Sequence, residues 1–201
     1  MTSSWSEALD DHRAHQREQV LVAALELLDE RGMAGLTMSA LAQRAGMSRA
    51  TLYHYFSDVD AVLAAWVGEE IKRSLAALVS EATAIADPLA RLEHVIDAQA
   101  QIFGSQHHRL NAEHFESEAG APAVRREVSN QMAPLRHLLA ATVSEAQRSG
   151  TFRPDLDPEL AADLLLGLIA AIRRRLVAGN MQVADAAPAV MALVRDGWAH
   201  P

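Results

Sequence analysis

Apolar residues recur along much of the chain every three or four positions, which is the spacing of one face of an α-helix. In the first such segment, Val20 and Leu27 fall on one face and Gly32 follows the last periodic position. Because glycine tolerates the backbone conformation that ends many helices, we expect a helix over residues 14–31. The polar, acidic residues 1–13 show no such periodicity, and we interpret them as a flexible leader.

The same reasoning predicts an all-α fold with about nine helices and no convincing strand, when prolines, glycines and capping residues are taken as boundaries. Thr37, Ser48 and Asp157 are predicted N-caps, because their side-chain oxygens can accept hydrogen bonds from free backbone amides. The predicted helices are approximately residues 14–31, 38–45, 49–55, 58–86, 88–103, 107–118, 122–149, 158–178 and 183–198.

Composition narrows the class of protein without identifying it. Half of the residues are apolar, and there is no cysteine to form a disulfide, a thiolate metal site or a thiol nucleophile. We expect a cytoplasmic protein, because the N-terminus lacks the features of a signal peptide. No apolar run reaches the roughly 20 residues of a membrane span, so we expect no membrane partner.

The segment from Met38 to Phe56 has the spacing of a helix-turn-helix. A small residue, Ala42, lies where the second helix would cross the first, and Gly46 suits the turn because glycine tolerates positive φ. The residues that would lock the pair onto a third helix are Leu41, Ala45, Met47, Leu52 and Tyr55. This pattern favours a DNA-binding motif over the alternative, an ordinary helical hairpin within a bundle.

The second helix of this motif carries the side chains that could contact DNA. Arg49, Thr51, Tyr53 and His54 can all donate hydrogen bonds to phosphates or base edges. Both tyrosines of the chain, Tyr53 and Tyr55, lie here. The net charge of −8 argues against a nucleic-acid partner, and residues 1–60 carry five arginines against nine acids. Any DNA-binding face must therefore be local.

The chain resembles the DNA-binding region of the TetR family of bacterial repressors over about residues 14–66. The runs that carry the resemblance are Gly35-Leu36-Thr37-Met38, Leu41-Ala42, Ala45-Gly46-Met47-Ser48 and Thr51-Leu52-Tyr53-His54-Tyr55-Phe56. The resemblance implies a helix-turn-helix domain over residues 14–60 and a ligand-binding and dimerisation domain over residues 61–201.

The resemblance also implies roles for individual residues. Positions that usually face the major groove correspond to Arg49, Ala50 and His54, and positions that often touch phosphates correspond to Thr37, Thr51, Tyr53 and Tyr55; Ser48 belongs to the same predicted interface. The family usually has a phosphate-binding lysine at the start of the fourth helix, where this chain has Val59 followed by Asp60. We therefore expect DNA binding with a modest dependence on salt.

Members of the family are homodimers whose last two helices form a four-helix bundle with those of the partner. The residues expected in this interface are Leu160, Leu164, Leu168, Ile172, Val190, Leu193, Val194 and Trp198. The alternative is that both apolar stripes are buried within their own domain. We interpret Arg173–Arg175 as a solvated cluster at the rim.

By helical phase, an effector pocket is expected among the middle helices. Its predicted lining is Val95, Ala98, Ile102, Phe103, Leu110, His114, Phe115, Met132, Leu135, Leu139 and Leu168. By family analogy, ligand binding favours a spacing of the recognition helices that no longer matches DNA, and the helix from Asp58 is the lever.

Five histidines lie in the middle of the chain together with several glutamates. They are His94, His107, His108, His114 and His137, with Glu113, Glu116 and Glu118. No metal-binding spacing such as HExxH is present, so we predict no metal and no cofactor, and a metal-sensing regulator remains an alternative.

Motifs of the common enzyme classes are also missing. There is no nucleophile elbow, phosphate loop or dinucleotide fingerprint, so an enzyme is not expected. The resemblance to the TetR family implies a repressor that a small molecule releases from a palindromic operator. A second alternative is a helical interaction module that does not bind DNA.

Overall fold

The computed structural model describes residues 3–105 and 122–199, with side chains from residue 11 onward except that of Arg125. Apart from a 3₁₀ turn at Met33–Gly35, the regular elements of these residues are α-helices. They are α1 (Ser3–Arg31), α2 (Met38–Arg44), α3 (Arg49–Tyr55), α4 (Val59–Thr83), α5 (Pro88–Gly104), α6 (Pro122–Gln131), α7 (Ala133–Arg148), α8 (Pro158–Val177) and α9 (Val183–Trp198). The all-α prediction is confirmed, and the sole β-type pairing in this part of the chain is an isolated bridge between Phe152 and Ala199.

The helices differ from the prediction mainly in two places. Helix α1 begins at Ser3 rather than near residue 14, because the preceding residues include helix formers and contain neither proline nor glycine. The single helix expected over residues 122–149 is interrupted at Met132. Pro134 lies in the first turn of α7, where its missing N–H is harmless, whereas inside one long helix its ring would clash with a backbone carbonyl. The helix predicted over 107–118 lies outside the described residues.

Contacts divide the chain into two compact units. The described part of the N-terminal unit is residues 3–70 and 122–128, and that of the C-terminal unit is residues 71–105 and 129–199. This boundary falls later than the predicted one at residue 60, because Val62, Leu63 and Trp66 of α4 are buried in the N-terminal unit. In the described residues, no helix is both long and apolar enough to cross a bilayer.

The N-terminal unit has a small apolar core to which each of its first four helices contributes. Helix α1 packs against α2, and α2 packs against α3. The side chains with no exposed surface are Val20, Ala24, Leu41, Leu52 and Val62. Burial of this apolar surface is the main force that orients the two short helices, α2 and α3.

The C-terminal unit is built around α5, which packs against α7, α8 and α9. Its core includes Val95, Leu135, Leu139, Leu165 and Ile169. A partly buried ion pair crosses from α5 to α7, with the Arg91 Nη1 atom 2.7 Å from Glu145 Oε2. Arg91 also donates to Thr142 Oγ1 and to the Ile85 carbonyl, so its buried guanidinium is well hydrogen-bonded.

Candidate DNA-binding and dimer surfaces

Thr37 sets the start of α2. Its extended backbone places the side-chain Oγ1 where it accepts a hydrogen bond from the Ala40 amide at 3.1 Å. This satisfies one of the amides that a helix N-terminus leaves free, as the sequence predicted. The hydroxyl therefore has a structural role in the absence of DNA, and Thr37 itself is exposed beside the motif.

The turn between α2 and α3 depends on Gly46. Its φ of +67° lies in the left-handed region, where a side chain would be strained. The Met47 amide donates to the Ala42 carbonyl at 3.0 Å, and the Gly46 amide donates to the Gln43 carbonyl at 3.3 Å. These two bonds close the end of α2 in a Schellman arrangement and direct the chain into α3.

Ser48 begins α3 as predicted. Its Oγ accepts from the Thr51 amide at 3.0 Å and also lies 2.8 Å from Thr51 Oγ1. The two hydroxyls thus form a pair at the N-terminal end of the recognition helix. A hydroxyl has a single proton, so the one that donates to the other cannot also donate to a phosphate oxygen, and the second hydroxyl keeps its O–H for that contact.

The outward face of α3, which we call the reading face, consists of Arg49, Ala50, Thr51, Tyr53 and His54, all of which are exposed. On the opposite side, Leu52 has no exposed surface and anchors the helix to the core. Tyr55 is partly buried, which fits a packing role as well as the predicted phosphate contact. The structure thus brings together on one exposed helix the predicted residues that can read base edges.

Few cationic side chains in the N-terminal unit are available to contact DNA. Arg44 contacts Glu26 at 3.0 Å and Glu30 at 2.5 Å, and its hydrogen bond to Glu30 holds the pKa of the Glu30 carboxyl below its ordinary value. The Arg17 guanidinium lies 5.6 Å from the centre of the Phe56 ring. Arg49, by contrast, makes no ion pair or side-chain hydrogen bond with the described part of the chain.

The start of α4 is acidic instead of basic. Asp58 caps the helix by accepting from the Ala61 amide at 2.8 Å, and Asp60 is exposed in the first turn. This geometry places carboxylates at the position where the resemblance implies a phosphate-binding lysine. It supports the expectation of a modest salt dependence, since fewer phosphates would be neutralised.

A second exposed surface lies on α8 and α9. Leu160, Leu164 and Leu193 are 55%, 49% and 60% exposed, which is unusual for side chains of this size. Together with the partly buried Leu168 and Trp198 they form what we call the apolar face. A groove of about 370 Å³ runs along it. Its lining is Asp163, Leu164, Gly167, Leu168, Leu193, Val194 and Trp198.

Three residues predicted in the dimer interface point elsewhere. Ile172, Val190 and Val194 are only 5%, 3% and 1% exposed, because they pack into the core of their own unit. Each of the two helices has an inward and an outward apolar stripe, and the sequence analysis merged them. The prediction that these three residues lie in a subunit contact is therefore corrected. Val194 nevertheless borders the groove.

Two family models match the chain. The model described as "Bacterial regulatory proteins, tetR family" matches residues 20–66, and that described as "Tetracyclin repressor-like, C-terminal domain" matches residues 88–191. The second match alone spans about half of the chain. The chain belongs to the TetR family. It is therefore a DNA-binding transcriptional regulator.

Individual relatives agree with this assignment. The HTH-type transcriptional regulator UidR of Escherichia coli strain K12 is 26% identical over 152 residues, covering 76% of each chain. The crystal structure of FadR from Bacillus subtilis in complex with stearoyl-CoA has a TM-score of 0.69 at 20% identity, covering 90% of this chain and 98% of that one. The structure of AibR with isovaleryl coenzyme A and operator DNA has a TM-score of 0.59 at 20% identity, covering 89% and 97%.

The described residues of the predicted effector pocket of this TetR-family chain are buried or partly buried. Val95, Leu135 and Leu139 have no exposed surface and fill the core. Five other predicted pocket residues are partly buried at the edge of the core: Ala98, Ile102, Phe103, Met132 and Leu168. The remaining three, Leu110, His114 and Phe115, lie outside the described residues. The pocket therefore stays a prediction.

The central histidines do not form a metal site within the described residues, where no three potential ligands converge. His94 Nε2 lies 3.6 Å from Glu81 Oε2, and His137 is exposed. The other residues of this group lie outside the described part of the chain: His107, His108, His114, Glu113, Glu116 and Glu118. A pair of side chains is too few to hold a zinc or nickel ion.

The sequence analysis missed several side chains that organise these surfaces. Arg44 joins α2 to α1, Arg91 joins α5 to α7, and Arg136 joins α7 to α8. Each of these arginines contacts acids far away in the sequence. Their only signal in the sequence is a charged residue near an apolar stripe, and that signal does not identify the partner.

Proposed function

We propose that the protein is a homodimeric repressor whose two α3 helices bind the half-sites of a palindromic operator, and that a small-molecule effector releases it. The observation that carries this proposal is the reading face. Capped at Ser48 and anchored by Leu52, α3 presents Arg49, Tyr53 and His54 to solvent. These side chains suit base edges and phosphates in a major groove.

The apolar face supports the homodimer. A single seven-residue recognition helix on an acidic unit makes too few contacts to hold DNA at physiological salt. Two copies joined through their C-terminal units would double these contacts and read two half-sites about 34–36 Å apart. Exposed leucines on α8 and α9 provide the surface that such an association would bury.

The C-terminal unit is the proposed effector-binding part. Two regulators of similar fold have been crystallised with acyl-CoA molecules, stearoyl-CoA and isovaleryl coenzyme A, so acyl-CoA thioesters are the first class to test. Because Val95, Leu135 and Leu139 are fully buried, an effector that contacts these residues must displace part of this core. Such a displacement would give the ligand the differential affinity for two states that allosteric release requires.

Fluorescence anisotropy with the DNA that flanks the protein's own gene tests the proposal. We expect wild-type protein to bind a palindrome, and Arg49→Ala to bind it about 10- to 100-fold more weakly, as loss of a bidentate base contact does. Arg31→Ala is the matched control, because Arg31 is also exposed in the N-terminal unit but lies outside α3. Equal affinity of the two variants would refute the role of the reading face.

Two further measurements separate the finer parts of the proposal. Deletion of the gene should raise transcription from the bound promoter, whereas a fall would show an activator. Acyl-CoA molecules of several chain lengths should raise the melting temperature and lower DNA affinity if one is the effector. A ligand that stabilises the protein without weakening DNA binding would contradict the release mechanism.

A further inference from the structure

One charged side chain interrupts the apolar face. Asp163 lines the groove on α8 beside Leu164 and Leu168, with 54% of its side chain exposed. Glu159 lies one turn earlier on the same helix. Two carboxylates spaced i and i+4 repel each other, and a carboxylate that is covered by apolar surface without a partner is strongly unfavourable.

Arg136 of α7 neutralises both carboxylates at once. Its Nε donates to Asp163 Oδ1 at 2.6 Å, its Nη2 donates to Asp163 Oδ2 at 3.2 Å, and its Nη1 lies 3.0 Å from Glu159 Oε2. The planar guanidinium thus forms a two-pronged contact with one acid and a single contact with the other. Lysine could not reproduce this geometry, because its ammonium is a compact point charge.

The contact between Arg136 and Asp163 shifts the pKa values of both groups. The hydrogen bond from Arg136 holds the pKa of the Asp163 carboxyl below its ordinary value, and the bond to Asp163 raises the pKa of Arg136. Asp163 therefore stays ionised at neutral pH, so the groove contains a permanent charge that is compensated within the chain.

Gly167 leaves room for another chain over this groove. It lies in the interior of α8, where glycine is less favourable than alanine, and beyond its own helix backbone a Cβ atom placed on it would meet no described atom within 4 Å. Packing within the described chain therefore gives no reason for a glycine here. A second helix that approached closely over Gly167 would give one, and the exposed leucines around it suit a second copy of the same face.

We propose that Arg136 is a positioning residue for the subunit interface: it neutralises Glu159 and Asp163 so that a second copy can pack over the groove. This inference rests on the homodimer proposed above. It adds that the stability of the dimer depends on a side chain of α7, a helix that contributes no residue to the groove lining.

Substitution of Arg136 by methionine tests the inference. Arg136→Met keeps an unbranched apolar stem similar to the aliphatic part of arginine, removes the guanidinium and leaves two unpaired carboxylates. We therefore expect the dimer dissociation constant to rise about tenfold or more, as when one partner of an interfacial charge pair is removed. The dissociation constant is measured by sedimentation velocity over a dilution series. Arg148→Met on the same helix is the matched control, since Arg148 is exposed and distant from the groove lining.

A triple variant distinguishes charge neutralisation from a merely structural role. In Arg136→Met/Glu159→Gln/Asp163→Asn the acids become neutral amides of the same shape, and we expect the dissociation constant to return to within about threefold of wild type, because the unpaired charge is gone. The inference is overturned if Arg136→Met dimerises like Arg148→Met, or if the triple variant stays as weak as the single one. A monomeric wild type would instead refute the proposed homodimer.

Discussion

The reading face on α3 and the apolar face on α8 and α9 are both left uncovered by the described part of the chain, yet their chemistry is opposite. The first exposes Arg49, Thr51 and His54, whose polar groups are well hydrated without a partner. The second exposes leucines, which water solvates poorly. A surface that meets its partner intermittently can remain polar, whereas an apolar surface of this kind is explained best by permanent cover.

The two surfaces also differ in how they are held in place. Helix α3 is seven residues long and depends on local contacts, namely its Ser48 cap, the Gly46 turn and buried Leu52. The apolar face lies on helices of 20 and 16 residues that bury their inward stripes in a large core. We therefore expect substitutions on the apolar face to affect association, and substitutions at the turn to affect the reading face itself.

The largest expected effect comes from a charge placed on the apolar face. Leu164→Glu puts a carboxylate in the groove without a partner, and we expect the dimer dissociation constant to rise about 100-fold or more. DNA affinity should fall with it, because each monomer retains only one reading face. Sedimentation velocity and anisotropy measure the two quantities on the same samples.

Val22→Glu is the control for Leu164→Glu. Val22 is 51% exposed on α1, so it accepts the same kind of change away from the apolar face. It should leave the dimer intact. If Leu164→Glu and Val22→Glu dimerise equally well, the contrast between the two surfaces is wrong.

A substitution of intermediate effect tests the turn. Gly46→Ala forces a side chain into the left-handed conformation, which costs about 1–2 kcal/mol of unfolding free energy. Apart from Gly46 and its two chain neighbours, no described atom lies within 4 Å of the added Cβ, so the cost is conformational and not steric. We expect a lower melting temperature and weaker DNA binding, measured by thermal denaturation and anisotropy.

Gly197→Ala is the matched comparison for Gly46→Ala. Gly197 also has open space around the added Cβ, but it is helical, so alanine should be neutral or stabilise α9 by up to about 1 kcal/mol. If both alanine variants lose stability equally, the left-handed turn is not what distinguishes Gly46.

The smallest expected effect concerns charge near the reading face. Glu26→Gln/Glu30→Gln removes two negative charges and releases Arg44 from its ion pairs. We expect DNA affinity to rise severalfold at low salt, and the dependence of log K on log salt to steepen by up to about one unit if Arg44 then neutralises a phosphate.

The control for this change is Glu93→Gln/Asp155→Asn, which alters the net charge equally in the C-terminal unit. It should change affinity less, because screening weakens charges that are distant from DNA. Equal effects of the two double variants would show that only net charge matters and that Arg44 has no particular role.

The features that the sequence predicted correctly are local. Thr37, Ser48 and Asp157 cap helices as expected, because a cap requires only a side-chain oxygen and an amide two or three residues away. The Gly46 turn follows from the conformational freedom of one residue. The fold class could likewise be predicted, since apolar spacing and helix boundaries are properties of short segments.

The features that the sequence did not determine depend on contacts between separate helices. Helical phase identified Ile172 and Val190 as apolar but not which of two apolar directions they face, because that depends on neighbouring helices. The ion pairs of Arg44 with Glu26 and of Arg136 with Asp163 join separate helices. Such pairings become visible only after the helices are packed. The assignment of DNA contacts and pocket residues stays a prediction for the same reason.

The hydrogen-bonded caps of α3 have a consequence for the kinetics of operator search. An isolated helix shorter than about 12 residues is marginal in water, but Ser48, Thr51 and Leu52 hold this one folded before any DNA arrives. Encounters with a duplex therefore need no coupled folding of the recognition element. We therefore expect its association rate to be limited by diffusion and orientation, and its binding to avoid the large entropy loss of a disordered segment that folds on contact.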